Sequence, residues 1–375
     1  MKKQLKLFVA LFFATILGAN LFAQTVNMNK YITLTVTQGQ QIQLDLKASA
    51  ANTGVKVVSG SWDTTLSVGV SWTGFRNYTA NASTMTIYGD VTYFDCSYNY
   101  SLLTNIDLSH NKDLVDLYCR SNQLTTLDVS GCTSLVGLFC YENELTDLDV
   151  SGCTSLVELD CYGNGLTSLD VSGLTSLVEL DCYGNGLTSL DVSGCTSLVD
   201  LDCYENGLTS LDVSGLTQLK YLWLYNNNFN TQALDEIFCA LAQRTSSDNA
   251  EIVVADSETD PVVLATNKSN ATSKNWAVLY YDGSETSDFP ETTGSHVCNN
   301  STLLDVTDEE ISFYPNPAKN NITIKGVNNK VVKIYDSMGR LVKQERINEK
   351  LNISDLTAGV YYIRINEITQ KLIKE

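Results

Sequence analysis

The chain has 375 residues, with 24 lysines and arginines against 43 aspartates and glutamates, a formal net charge of −19. That is too long for one ordinary globular core, and the acidic balance excludes nucleic acid as a partner, since phosphate backbones are held by a basic footprint. The charge is unevenly spread: residues 121–219 contain no lysine or arginine against 15 acidic residues, whereas residues 304–375 hold 11 of the 24 basic ones. An acidic middle segment favours cations or neutral ligands, or simply keeps an exported protein soluble.

The first segment, MKKQLKLFVALFFATILGANLFAQ, places three lysines before a short apolar run that ends in small residues. This pattern predicts a secretory signal peptide over residues 1–23, cleaved between Ala23 and Gln24. No other apolar run approaches the ~18 residues of a membrane span, so no transmembrane segment is expected after signal removal. Residues 24–90 alternate apolar and polar positions in YITLTV, QIQLDL, VKVVSG and MTIYGD, which predicts β-strands. The stretch precedes a run of sequence repeats, and a repeat array has to cover its first open edge, so it is expected to form an N-terminal β cap, with Trp62 and Trp72 in its packing.

From residue 91 to 228 a block of 21 residues, LTSLDVSGCTSLVELDCYGNG, recurs in near-identical copies. Its strand portion reads L-x-x-L-x-C-x-x-N, with asparagines in one register at Asn122, Asn143, Asn164, Asn185, Asn206 and Asn227. An earlier copy, VTYFDCSYN, ends at Asn99 and is offset by two residues. Self-similarity at this period marks a solenoid whose every turn supplies one strand. The spacing resembles the leucine-rich repeat, with cysteine in place of the third strand leucine. The resemblance implies a mainly β solenoid with a concave parallel sheet.

The alternation then sorts the repeat residues. Leucines and the column Cys96, Cys119, Cys140, Cys161, Cys182 and Cys203 face inward. Cys132, Cys153 and Cys195 stand where sister repeats carry Leu174 and Leu216, so that site wants a small apolar body. With cysteines a full repeat apart and no histidine at ligand spacing, no metal site is expected. The asparagine side chains are expected to satisfy backbone groups of neighbouring coils, and Asp128, Asp149, Asp170, Asp191 and Asp212 to bond their own turns.

Three outward columns remain. They are Arg120, Tyr141, Tyr162, Tyr183, Tyr204 and Tyr225; Tyr118, Phe139, Asp160, Asp181, Asp202 and Trp223; and Asp116, Gly137, Glu158, Glu179, Asp200 and Tyr221. At ~4.8 Å between strands they make a tyrosine stripe flanked by two carboxylate columns. Either this is a recognition surface for a protein or a glycan, tyrosine being enriched at interfaces, or duplication has carried the same surface along. The candidate ligand-binding residues are Tyr141, Tyr162, Tyr183, Tyr204, Tyr225, Trp223, Glu158, Asp160, Glu179, Asp181, Asp200 and Asp202.

After Asn227, TQALDEIFCALAQR carries a Leu234, Ile237, Phe238, Leu241 stripe at i, i+3, i+4, i+7, which predicts a helix over 231–244 closing the solenoid. Strands are expected to follow over 250–282, completing a C-terminal cap over 229–298. Cys239 lies off the helix stripe and Cys298 in a polar loop, so these two are expected to form a disulfide in an oxidising exterior. Residues 299–310 form a polar linker.

The last segment, 311–375, has turn signals every 8–12 positions and reads as a small β-sandwich. It carries Pro315-Asn316-Pro317, then Tyr335-Asp336 with Gly339-Arg340, then Leu356, Ala358-Gly359 and Tyr361-Tyr362. In order and spacing these resemble the type A C-terminal sorting domain of cargo for the Bacteroidetes type IX secretion system. The family usually ends on a basic residue, and here Glu375 follows Lys374. The resemblance implies engagement of that secretion machinery and a secreted or outer-surface location.

Enzymatic signals are sparse. The two histidines, His110 and His296, are isolated, and no nucleophile motif, phosphate loop, dinucleotide fingerprint or zinc-protease helix is present. Pairs such as Glu158 with Asp160 repeat on an open sheet with no pocket to raise one pKa. The sequence therefore predicts a binding protein without catalysis and without a cofactor. A structural spacer, or a glycan-binding accessory of a polysaccharide-degrading system, are the other readings.

Overall fold

The computed structural model describes residues 25–298, 313–314, 318–324, 330–336, 340–347, 350–365 and 368–374. The signal segment with Ala23 and Gln24, the linker 299–310, Pro315, Asn316, Pro317 and Gly339 lie outside the described residues. The chain divides into two units, residues 1–298 and 299–375.

The first unit begins with alternating sequence that forms strands for the expected reason: in YITLTV the residues Ile32, Leu34 and Val36 point into the core. Strands β1 (Tyr31–Val36), β3 (Thr53–Ser59), β4 (Trp62–Val68), β6 (Thr84–Tyr88) and β8 (Leu103–His110) form a sheet in the order β4-β3-β6-β1-β8. Strand β2 (Gln41–Ala48) instead pairs antiparallel with β5 (Arg76–Thr79) and with β7 (Val91–Asp95), the first strand of the solenoid. Asn99 ties cap to solenoid, accepting from the Gln43 amide (2.8 Å) and donating to the Gln43 carbonyl (2.9 Å).

Each following coil adds a three-residue strand in register. These are β9 (Asp116–Tyr118), β10 (Gly137–Phe139), β11 (Glu158–Asp160), β12 (Glu179–Asp181), β13 (Asp200–Asp202) and β14 (Tyr221–Trp223). The central leucines Leu117, Leu138, Leu159, Leu180, Leu201 and Leu222 are fully buried and stack one above another, each contributing about 1.5–3 kcal/mol by leaving water. The nine cysteines of the repeats are free and buried. Burial pushes the Cys161 thiol far above its ordinary range, so it packs as a small apolar group.

The turn after each strand follows one plan. Asn164 donates through Nδ2 to the carbonyls of Cys140 (3.2 Å), Cys161 (3.0 Å) and Tyr162 (3.3 Å), while its Oδ1 accepts from the Leu145 amide (3.0 Å). One side chain thereby satisfies the backbone of two coils. The residue before the asparagine is left-handed in successive coils: Glu142 (φ 53), Gly163 (φ 62), Gly184 (φ 61) and Glu205 (φ 53). Glycine relieves that strain at two of these four positions. On the convex side Asp128, Asp149, Asp170, Asp191 and Asp212 accept from the amide of the serine two residues on, at 2.8–3.1 Å. The convex return is thus built of turns. Together these coils make a leucine-rich-repeat solenoid.

The parallel sheet continues past the repeats into β15 (Ala250–Ala255) and β16 (Trp276–Tyr281), and β17 (Thr286–Asp288) closes it antiparallel. Helix α1 (Thr231–Ala240) connects β14 to β15 and buries Leu234, Ile237 and Phe238, with Leu241 just beyond its end. It stops four residues short of the expected 244, because Leu241 turns to ψ 135 and Lys274 Nζ takes up the carbonyls of Phe238 (3.1 Å) and Cys239 (2.5 Å). Two short helices, α2 (Pro261–Leu264) and α3 (Ser269–Thr272), interrupt the stretch expected to hold only strands. Asp260 caps α2 through the amides of Val262 and Val263. Cys239 and Cys298 are joined by a disulfide, with Cα atoms 5.3 Å apart.

The second unit pairs β18 (Phe313–Tyr314), β19 (Asn321–Ile324) and β22 (Lys350–Asn352) in one sheet. Its other sheet runs β21 (Leu341–Ile347), β20 (Lys330–Asp336), β23 (Gly359–Ile365) and β24 (Ile368–Lys374). Ile322, Ile324, Val332, Ile334, Leu351, Ile363 and Leu372 form its own core, with Leu356 packed against it. The motif residues hold turns: Arg340 grips the Asp336 carboxylate through Nε (2.9 Å) and a guanidinium contact of 2.8 Å, and the buried Tyr361 hydroxyl donates to the Thr357 carbonyl (2.9 Å). Ala358 and Gly359 are exposed.

Candidate functional site

The outward residues of β9 to β14 line the concave sheet, and the in-register pairing turns each sequence column into a spatial row. The tyrosine column is a stack. Ring centroids of Tyr141, Tyr162, Tyr183 and Tyr204 lie 4.2 Å apart with planes within 14°, and Tyr225 follows at 4.6 Å. Flat faces meet flat faces, so the rings present their edges and hydroxyls to solvent. The hydroxyls stand in a row at the spacing of the rings. Arg120 closes one end, donating from a guanidinium nitrogen to the Tyr141 hydroxyl (2.8 Å) with its guanidinium 5.4 Å from that ring. At the other end Tyr225, beside Trp223 and Tyr281, is only 6 % exposed. It belongs to the packing that ends the stack and not to the accessible face, contrary to its place among the candidates.

Asp160, Asp181 and Asp202 lie half-buried between that stack and the column of Glu158, Glu179 and Asp200. The expectation that an open sheet leaves these carboxyls unperturbed is wrong. Burial, compounded by Asp202 and Asp160 on either side, pushes Asp181 up to about 8. Asp202 rises to about 7 through burial and then the Asp200 and Glu179 charges, and Asp160 to about 6 through burial and then Glu179. Asp200 also rises to about 6, from burial and then Glu179. Like charges at strand spacing oppose one another's ionisation, so Asp181 and Asp202 hold protons into the neutral range. One oxygen each from Asp160, Glu179 and Asp181 lies within 4.8 Å of the others, so these three are the residues able to approach a hard cation.

This has a consequence for stability. A carboxyl whose folded pKa lies above its unfolded value binds more protons when folded, so stability falls as pH rises from the unfolded pKa to the folded one. Between about pH 5 and pH 8 the unit is expected to lose roughly 2–3 kcal/mol, well below the full sum because solvent screens partly exposed groups. That corresponds to a melting temperature about 5 °C lower at the higher pH. Below about pH 4 the trend reverses, since Asp128 and Asp149, held low by the Ser130 and Ser151 contacts, become protonated and lose them. Calorimetry across this range checks it; a melting temperature that climbs steadily from pH 5 to 8 contradicts it.

Sequence reasoning missed the end of the site nearest the cap. Trp72 does not pack in the cap interior as Trp62 does against Tyr78. It is 38 % exposed and rests edge-on against Tyr93 and Tyr118. Tyr118 in turn stacks on Phe139 at 4.4 Å, and Lys47 Nζ sits 3.6 Å above the Tyr93 ring. The only available signal was the exposed-type setting GVSWTGF, a glycine-flanked loop with apolar residues and no alternation. The concave face therefore has three zones: aromatic and cationic near the cap, acidic over β11 to β13, and aromatic again at Tyr221, Trp223 and Tyr281.

Residues 312–375 match the family described as the secretion system C-terminal sorting domain. The protein is thus secreted or attached to the outer cell surface by the type IX route. Among the described residues no helix is long and apolar enough to cross a membrane. No curated protein matches the chain. Among solved structures it is similar to the functional domain of InlJ from Listeria monocytogenes, described as including a cysteine ladder, at 24% identity and TM-score 0.36 over 76% of this chain and 62% of that one. The chain thus spans less than two thirds of that domain. It is also similar to YopM from Yersinia enterocolitica (30% identity, TM-score 0.31, 37% of this chain and 30% of that one). A leucine-rich-repeat protein of Leptospira interrogans is a third (24% identity, TM-score 0.30, 35% and 42%).

Proposed function

We propose that this is a non-catalytic binding protein of the cell exterior, and that its concave face takes a protein partner. The observation that carries the reading is the tyrosine stack. Glycan recognition by aromatic residues uses free ring faces, and here each face from Tyr141 to Tyr225 is covered by the next ring. What remains is a straight row of ring edges and hydroxyls beside carboxyls, suited to the hydrogen-bonding groups and apolar side chains of a polypeptide. The carboxyls recur without a histidine, nucleophile or enclosing cavity beside them, which favours recognition over chemistry.

The test uses Tyr162→Phe with Tyr183→Phe, which keeps the stacked rings and removes two hydroxyls. Partners captured by the secreted protein from the native exterior are expected to bind about tenfold more weakly to this variant, while a glycan array stays blank. Unchanged affinity in the variant assigns the repeats a spacer role and overturns the proposal.

A further inference from the structure

We infer that the occupant of the concave face is a polypeptide segment bearing several lysine or arginine side chains, seated across β11 to β13; this rests on the binding role proposed above. The argument is charge complementarity on a built surface. Glu158, Glu179 and Asp200 form one row and Asp160, Asp181 and Asp202 the next, on three adjacent strands. Among the described residues none of the six makes an ion pair with a lysine or arginine of the chain. The cations nearest this face are used elsewhere: Lys47 lies over Tyr93 and Arg120 between Tyr98 and Tyr141.

The zone is also bounded. Tyr118 and Phe139 wall one end, Tyr221 and Trp223 the other, and the hydroxyls of Tyr162, Tyr183 and Tyr204 run along one side. A segment laid across the strands meets carboxyls about every 4.8 Å, with aromatic groups at both ends for its apolar residues. Several cationic side chains neutralise all six groups. A single divalent ion at Asp160, Glu179 and Asp181 leaves Glu158, Asp200 and Asp202 uncompensated.

Binding should carry a proton signature. The groups facing the Asp160–Asp181–Asp202 row are Glu158, Glu179 and Asp200 on one side and the three tyrosines on the other. Asp116 lies toward the cap, Arg120 is more distant, and the β14 residues Tyr221 and Trp223 carry no charge. With burial and like charge holding protons on the row, an arriving ammonium favours the ionised form and releases them. Lysine itself stays charged throughout, near 10.4 in water. The complex therefore tightens as pH rises.

The test is calorimetric titration of the full chain with a decalysine peptide at low salt, at about pH 8 and about pH 5.5, in buffers of different ionisation heat. The expected result is proton release and affinity about tenfold higher at the upper pH. Asp160→Asn with Asp181→Asn and Asp202→Asn should abolish the pH dependence and weaken binding about tenfold. Asp128→Asn with Asp149→Asn and Asp212→Asn, which removes three carboxyls on the convex side and at least as much charge, should alter it less than about twofold. Equal losses in the two triple variants would mean unspecific attraction to an acidic protein and overturn the inference. So would calcium chloride binding the concave row while the peptide does not. If decalysine fails yet a partner is captured and weakened by the tyrosine-to-phenylalanine pair, the basic occupant is wrong and the binding role stands; if neither binds, both fall. Retained cooperative melting verifies that each variant is folded.

Discussion

Deletion of residues 312–375 is expected to reduce the extracellular protein by more than about tenfold while the solenoid accumulates, folded, behind the outer membrane. The two units have separate hydrophobic cores, one built on the repeat leucines and the other on Ile322, Ile334, Ile363 and their neighbours. The disulfide that ties the closing helix lies wholly within the first unit, ending at Cys298. Loss of the sorting domain thus removes the export signal and leaves the hydrophobic core of the first unit whole. Cell fractionation with a melting curve of the retained species decides the matter. Normal release of the shortened chain would show that the tail does not direct export, and a retained but unfolded solenoid would show that the units are not independent.

Asn185→Ala is expected to cost about 3 kcal/mol, more than any single contact on the concave face. Asn185 Nδ2 donates to the carbonyls of Cys161 (3.1 Å), Cys182 (3.1 Å) and Tyr183 (3.3 Å), and its Oδ1 accepts from the Leu166 amide (3.0 Å). Alanine leaves the Leu166 amide without a partner, a desolvation penalty of roughly 1–3 kcal/mol when water cannot reach it. It also takes one of two donors from each carbonyl, which keep the Asn164 side chain at Cys161, the Asn206 side chain at Cys182 and the Gly163 amide at Tyr183. Relaxation and water entry at the edge of the turn keep the total well below the sum. In a solenoid stability is the sum of coils and their interfaces, so the loss falls on the contacts of one coil with its neighbours. Urea denaturation of Asn185→Ala beside Asn185→Asp, which keeps the acceptor and loses the donors, separates the two contributions. A cost under about 1 kcal/mol for alanine would remove the asparagine row from the forces holding the coils together.

The inward and outward sorting of the repeat was legible from the chain because it depends on two local regularities. A period of 21 residues puts equivalent positions one strand apart, and alternation along a strand sends neighbours to opposite faces. Leu159, Leu180 and Cys161 could be placed in the core, and Asp160, Glu179 and Tyr183 on the sheet, with no knowledge of their contacts. The tail was legible for another reason: Tyr335-Asp336, Arg340 and Tyr361 stand in the order and spacing of a known sorting module.

What the chain alone could not disclose depends on side chains from different coils meeting at strand spacing. Tyrosines in one column could have splayed apart with faces free; rotamers and in-register strands bring them into a stack that leaves only edges exposed. Asp160, Asp181 and Asp202 are half-buried among neighbouring rows, and this burial with the adjacent carboxylates holds protons on groups that a sequence reads as exposed. Trp72 reaches the concave face through the path of a loop, and α1 ends at Ala240 because Lys274, 34 residues further on, supplies its terminal carbonyls with a donor. Periodicity and local turn chemistry therefore determined the solenoid, its core and its exported fate. Only the tertiary structure decided which groups remain available on its face and in what ionic state, because accessibility and pKa depend on neighbours distant in sequence.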